Sequence, residues 1–318
     1  MMKRSTKAGK CSIFLILCLA AFGCAGYQPS NSANTGENGK SASPAASEKR
    51  TVMDDLGRTI ELKGEVLRVV SLAPNVTELI FAAGGGDRLV GVTSFCNFPE
   101  EAKGIAKIGD TMNPNMESIV AVKPDIVFVS TASQVEAFTK TLDKNGILYY
   151  VTNPTTLDGV LYNIRQVADI LGTTDKAEPV IASLRERIGK VWAKTSSAEK
   201  VRVFVQISRE PLFTIGRESF LNEPLVKAGA VSATADVETA FPRLSKEAAR
   251  ALNPSVIVLT DSEDNREPNE VFKNSPAVTN GRVYRIDADL LSRPGPRLVD
   301  AVEQLAALLH PELFKREE

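Results

Sequence analysis

One stretch of this chain occurs twice, and few architectures are compatible with that. Residues 115–129 (NMESIVAVKPDIVFV) align without a gap on residues 245–259 (SKEAARALNPSVIVL), each second-copy residue lying 130 positions after its counterpart. Each copy opens on a capping residue, Asn115 or Ser245, and places a glutamate, Glu117 or Glu247, in the first turn of a short helical stretch. Each then stops at a proline, Pro124 or Pro254, and runs into an apolar, β-branched segment that reads as a buried strand. A helix–strand unit duplicated once, at so long a separation, implies two lobes of like fold related by approximate symmetry. A solenoid needs more copies at a much shorter period.

The remaining patterning is that of an α/β protein. Residues 51–62 alternate around Asp55-Leu56-Gly57 as a hairpin. Residues 68–72 form a strand run, followed by Pro74, a helical stretch and the stop Gly84-Gly85-Gly86. Strands at 89–93, 126–130 and 148–151 alternate with helices at 116–122 and 135–145, the signature of parallel βαβ units, and assign 51–155 to a first lobe. In the connector, 156–199, Leu157, Leu161, Ile164, Ala168 and Leu171 keep helical spacing up to Gly172. A second run puts Ile181, Leu184, Ile188, Val191 and Trp192 on one face, with Trp192 read as a packing residue. Residues 176–195 would make about 30 Å of helix at 1.5 Å per residue, long enough to reach from one lobe to the other. The second lobe, 200–318, carries strands at 203–207, 256–260 and 283–286 and a closing helix at 298–309.

The N-terminus reads as a targeting segment. Lys3, Arg4, Lys7 and Lys10 precede an uncharged apolar run at 13–22 that is too short to span a bilayer, which takes about 20 residues of helix. Residues 1–23 are therefore expected to be an export signal. Gly23-Cys24 resembles the bacterial lipobox, with Phe22 where a small residue is usual, and this makes Cys24 the expected lipidation site. Plain signal-peptidase cleavage nearby is the alternative. Residues 28–50 contain no Val, Ile, Leu, Met, Phe, Tyr or Trp, so 24–50 reads as a lipidated terminus and disordered tether. That places the protein in the periplasm or at the cell surface, anchored by lipid. Of the cysteines Cys11, Cys18, Cys24 and Cys96, the last alone lies in the folded body, so no internal disulfide is expected.

Composition narrows the chemistry. The 38 Lys+Arg against 39 Asp+Glu provide no basic footprint for nucleic acid. A single histidine, His310, leaves little for a metal site or a Ser-His triad, and it is read as a solvated C-terminal cap. The triple glycine lacks the spacing of a phosphate loop. A corrinoid- or metal-modifying enzyme on this scaffold would need a base or metal site that the sequence does not offer. No catalytic or metal-ligating residue and no resident cofactor is expected, and the chain is read as a monomer.

Leu72-Ala73-Pro74-Asn75-Val76-Thr77-Glu78-Leu79, Gly91-Val92-Thr93-Ser94, Phe98-Pro99, the Glu117 repeat with Lys123-Pro124-Asp125, and Arg293-Pro294-Gly295-Pro296-Arg297 give the chain a family resemblance. It resembles the helical-backbone class of ABC-importer substrate-binding proteins, and within it the members that bind cobalamin. The resemblance covers residues 51–309. It implies two Rossmann-like lobes joined by one long rigid helix, a ligand cleft between them, and delivery of the ligand to an ABC permease and its ATPase. An acid in the first turn of a helix is favourable by itself, by about 0.3–1 kcal/mol. The resemblance adds that Glu117 and Glu247 each dock onto permease arginines. It also carries ligand contacts to Phe95, Phe213, Phe241, Arg293 and Arg297, with a cobalamin-type corrinoid as the ligand. Phe213 (Pro211-Leu212-Phe213-Thr214) and Phe241 (Ala240-Phe241-Pro242) have a core role as the alternative, and the arginine pair a solvated loop. Thr111 and Ser130 stand where the family has tryptophans, so an iron–siderophore or haem is the alternative ligand. Cys96 is read as inert packing.

Overall fold

The computed structural model describes residues 49–131 and 135–315. A hairpin of β1 (Arg50–Met53) and β2 (Thr59–Leu62) leads into β3 (Val69–Ser71), α1 (Pro74–Ala82), β4 (Leu89–Val92), α2 (Met116–Ala121), β5 (Ile126–Ser130), α3 (Val135–Lys144) and β6 (Tyr149–Thr152). The connector is α4 (Leu157–Leu171) and α5 (Thr174–Thr195). There follow β7 (Val201–Ser208), β8 (Phe213–Thr214), α6 (Asn222–Lys227), β9 (Ala230–Ser232), α7 (Lys246–Leu252) and β10 (Ile257–Asp261). The chain closes through α8 (Pro276–Thr279), β11 (Val283–Asp287), α9 (Ala288–Leu291) and α10 (Leu298–Leu309). The signal, Cys24 and the tether up to residue 48 lie outside the described residues. Arg50, assigned to the tether from sequence, is already a strand residue. Its guanidinium donates to the carbonyls of Asp169 and Ile170 at the end of α4.

The duplication seen in the sequence is a duplication of sheets. The first runs β4-β3-β5-β6 and the second β9-β7-β10-β11, all pairs parallel, with β8 added antiparallel to the far end of β7. The repeated segments become α2–β5 and α7–β10. Asn115 caps α2 by accepting from the Ser118 N–H at 3.0 Å, and Ser245 caps α7 by accepting from the Ala248 N–H at 3.1 Å. The match extends to backbone geometry. Lys123 (φ 45°) and Asn253 (φ 39°), both directly before the proline, take left-handed conformations. A residue preceding proline is pushed out of the right-handed helical region, so each helix breaks abruptly and its strand starts at once.

Strand residues alternate between two apolar environments. Ile126 and Phe128 of β5 face an inner cluster, while Val127 and Val129 face an outer one with Ile119 of α2. In the second sheet, Val256 and Val258 face the same inner cluster, and Ile257 and Leu259 face a third cluster with Ala249 of α7. The inner cluster is thus common to both sheets, and it includes Ile181, Leu184 and Val191 of α5.

That helix is fastened at both ends. The Thr173 hydroxyl donates to the Ala83 carbonyl after α1 at 2.6 Å, and the Thr195 hydroxyl donates to the Lys227 carbonyl at the end of α6 at 2.7 Å. Midway, Arg187 bonds Glu303 through two nitrogens and Asp300 through one, all on α10. The hydrogen bonds that Arg187 donates to Glu303, joined by the one to Asp300, hold its pKa above the ordinary arginine value against the opposing effect of burial. All three side chains are about a third exposed, so each pair contributes on the order of 1 kcal/mol or less. Trp192 is half-buried, with the ammonium groups of Lys200 and Lys227 each 4.9 Å from its ring centre. It packs by cation–π contact rather than inside the apolar cluster. A further strap joins the second lobe to the connector, where Glu223 of α6 accepts from the Leu157 N–H at the start of α4, 2.7 Å.

One further sequence reading changes. His310 is buried rather than solvated, because its ring packs against Gly229, where no side chain stands in the way, with Nε2 3.0 Å from the Gly229 carbonyl. β8, β9 and α6 were not legible, being two to six residues long and lacking a clear period. Cys96 is buried, with the Thr77 and Thr93 hydroxyls 3.1 and 3.2 Å from its sulfur. Among the described residues no helix is long and apolar enough to cross a membrane.

Because α5 supplies core to both lobes, Ile181→Ala is expected to lower unfolding free energy by about 2–5 kcal/mol, read by equilibrium urea denaturation. A loss below about 1 kcal/mol would mean that the helix is a surface spacer.

Candidate ligand cleft

In parallel α/β sheets ligands lie at the carboxyl ends of the strands. At those ends the first lobe places the turn from β3 into α1 and the loop that leaves β4 at residues 93–98. The second places β8, the loop that leaves β9, and the segment after β11 that carries Arg293 and Arg297. The strongest tie across this junction is centred on Glu78. Helix α1 (PNVTELIFA) is apolar on most of its circumference, and residues 75–80 are all buried, Glu78 among them. An isolated buried carboxylate is costly, and here it is compensated from the other lobe. Its Oε1 accepts from Arg293 Nη1 at 3.1 Å and Arg297 Nη2 at 2.7 Å, while Oε2 accepts from Arg297 Nε at 3.1 Å. The three side chains are 2%, 11% and 15% exposed for Glu78, Arg293 and Arg297. Burial alone would lower the pKa of Arg297, but the Glu78 hydrogen bond and charge outweigh it and the net shift is upward.

The network extends on both sides. Arg293 also donates to Asn97 Oδ1 at 2.8 Å and pairs with Asp289 at 2.6 Å, and Asn97 returns a hydrogen bond to Asp289 at 3.0 Å. The Arg297 guanidinium lies 4.2 Å from the centre of the Phe98 ring. Asn75 donates to Ser130 Oγ at 3.1 Å and, at 3.5 Å, to the Pro294 carbonyl. The resemblance gives both arginines a ligand role, whereas the structure brings them together on Glu78. The sequence reading named Glu78 as part of a motif and missed this partnership. One signal was available, an acid set among Val76, Thr77, Leu79 and Ile80 on a helix, since a buried acid requires a cation.

Aromatic side chains line the rims. Phe95 is 57% exposed, and Phe98 and Phe241 are also exposed. Phe241 meets Phe220 edge-on at 6.2 Å. Phe213 is half-buried on β8, where its backbone bridges to Arg243. Thr111 lies 3.4 Å, hydroxyl to hydroxyl, from Thr93, and Ser130 is buried at the end of β5.

Glu117 and Glu247 are both exposed in the first turns of their helices. A helix that feeds a parallel strand runs antiparallel to it, so both glutamates stand on the strand-end rims, one per lobe. Glu247 is held below the usual carboxylate range by its own backbone N–H and the Ser245 hydroxyl.

Two like-folded lobes braced by a long helix, with exposed aromatic loops at the junction, define a two-lobed binding protein with a helical backbone. The family model described as periplasmic binding protein matches residues 69–290, and the chain belongs to that family. An uncharacterized ABC transporter substrate-binding lipoprotein of Bacillus subtilis, YvrC, is 33% identical over 274 residues, covering 83% of this chain and 87% of the relative. The crystal structure of the periplasmic vitamin B12 binding protein BtuF of Vibrio cholerae superposes with a TM-score of 0.68 at 28% identity, covering 79% of this chain and 99% of that one. The apo form of the periplasmic heme-binding protein RhuT from Roseiflexus sp. RS-1 gives 0.69 at 25% identity, covering 79% and 100%. The chain is accordingly the substrate-binding protein of an ABC importer. Its family consists of transport receptors and not of enzymes.

Glu78→Ala would leave two guanidinium groups buried without their shared acceptor, and unfolding free energy is expected to fall by about 3–5 kcal/mol. A urea titration showing less than about 1 kcal/mol would mean that the pairing is solvated and weak.

Proposed function

We propose that this receptor captures a cobalamin-type corrinoid between its lobes and delivers it to the permease through Glu117 and Glu247. The observation that carries the ligand reading is the set of exposed phenylalanines, Phe95 and Phe98 on one rim and Phe241 on the other, beside the polar Asn97–Arg293–Asp289 group. Broad apolar rings provide contact area to a flat macrocycle, and a few polar groups orient its amide arms. The likeness to BtuF supports this reading. Haem or an iron–siderophore is the second reading, favoured by the likeness to RhuT and by Thr111 and Ser130 in place of tryptophan.

The working unit comprises lobes at 51–155 and 200–318 with the connector 156–199 between them. The receptor is held outside the cytoplasm by lipid on Cys24, in keeping with the lipoprotein name of the Bacillus subtilis relative. Because α5 contributes core to both lobes, ligand changes their mutual tilt by a few degrees rather than through a wide hinge. The permease reads the resulting separation of the two glutamates by bidentate arginine pairing.

Calorimetry on the soluble chain after Cys24 should find cyanocobalamin bound one to one and at least about 100-fold tighter than haemin or a ferric siderophore. The reverse order would establish the second reading. Glu117→Ala with Glu247→Ala should leave ligand affinity within about twofold while abolishing uptake in cells. A collapse of affinity instead would show that the glutamates belong to the ligand site.

A further inference from the structure

We infer that Glu78 is a specificity-determining residue: by holding both cleft arginines, it makes the receptor select ligands with uncharged, amide-bearing edges over ligands of the same shape that carry carboxylates. The inference rests on the reading of the lobe junction as the ligand site and deepens it.

The physical case is one of charge already compensated. Arg293 and Arg297 are the cations of the junction floor, and opposite them stand Glu78 and Asp289, with Asp287 also close enough to act on Arg297. Lys107, which follows the Phe95–Phe98 loop, directs its ammonium to the carbonyls of Cys96 and Ala102. Among the described residues, these acids leave the floor no surplus of positive charge. An arriving carboxylate can take the two-pronged arginine bonds that Glu78 now holds only by displacing that side chain, which is almost wholly buried and would then be left unpaired in an apolar helix face; the remaining guanidinium N–H groups offer it single bonds beside an acid already in place. That exchange removes as much pairing as it makes and adds a stranded buried charge. A primary amide meets no such barrier, since the Asn97 side chain and the Asp289 carboxylate at the edge of the network can exchange hydrogen bonds with it.

The test uses two pairs of probes: cyanocobalamin against its near-isosteric derivative with peripheral amides hydrolysed to carboxylates, and haemin dimethyl ester, uncharged but two methyl groups larger, against haemin. Each is titrated by calorimetry into the wild-type receptor and into Glu78→Gln, which keeps the side-chain shape. The wild type should bind the uncharged member at least about 100-fold tighter than the acidic one. Glu78→Gln should reduce that ratio below about tenfold, chiefly by raising affinity for the acid. Should Glu78→Gln fail to fold by near-ultraviolet circular dichroism, Asp289→Asn removes negative charge from the same network without touching the buried carboxylate, and it should narrow the ratio as well. A wild type that holds the acid as tightly as the amide or ester overturns the inference, as does a ratio unmoved in the folded variant. If no corrinoid binds but the haemin ester is held tighter than haemin, the corrinoid reading falls while the role of Glu78 stands. Haemin held tighter than its ester overturns that role whatever the corrinoids do, and failure of all four probes overturns both.

Discussion

The inner faces of both sheets bury their side chains in one shared apolar cluster, to which the connector helices α4 and α5 also contribute. Swinging the lobes apart would return this surface to water at about 25 cal/mol per Å², so a wide hinge is opposed by the core itself. The polar contacts act in the same direction. Glu78 with its two arginines ties the lobes across the cleft, and Glu223 on the Leu157 N–H ties the second lobe to the start of the connector. Apolar packing and the Glu78 ion pairs thus both join the lobes.

The two lobes are copies in topology and differ where their work differs. Strand order, helix caps and the left-handed residue before each proline recur. What does not recur is the furniture of the strand-end rims. The first lobe sends out a loop with Phe95 and Phe98, whereas the second adds β8 and the arginine-bearing segment before α10. A duplicated frame with unlike rims fits a receptor that holds one asymmetric ligand between two related halves.

The frame was legible in the sequence because its signals are local and periodic. The repeat at 115–129 and 245–259, the spacing of Leu157 to Leu171 ending at Gly172, and the apolar period of 298–309 each mark an element with physical necessity behind it. The key side-chain partnership was not legible. Glu78 and Arg297 are 219 residues apart, and no local pattern says which cation a buried acid will find. His310 was misread for a related reason. One residue before a proline near the chain end reads as exposed, yet the fold closes over it. Phe95 and Phe241 were singled out by resemblance, and their exposure on opposite lobes could not have been read from periodicity.

The threonine clasps on α5 have a consequence for how receptors of this build can diversify. Thr173 grips the segment after α1, and Thr195 grips the end of α6. Each residue added between them would lengthen the rod by about 1.5 Å and rotate one end by about 100° relative to the other. One clasp, and the facing of a whole lobe, would then be lost. Accommodating a bulkier passenger by stretching the brace is therefore closed to gradual change, and variation in cargo has to be written into the lips of the cleft instead.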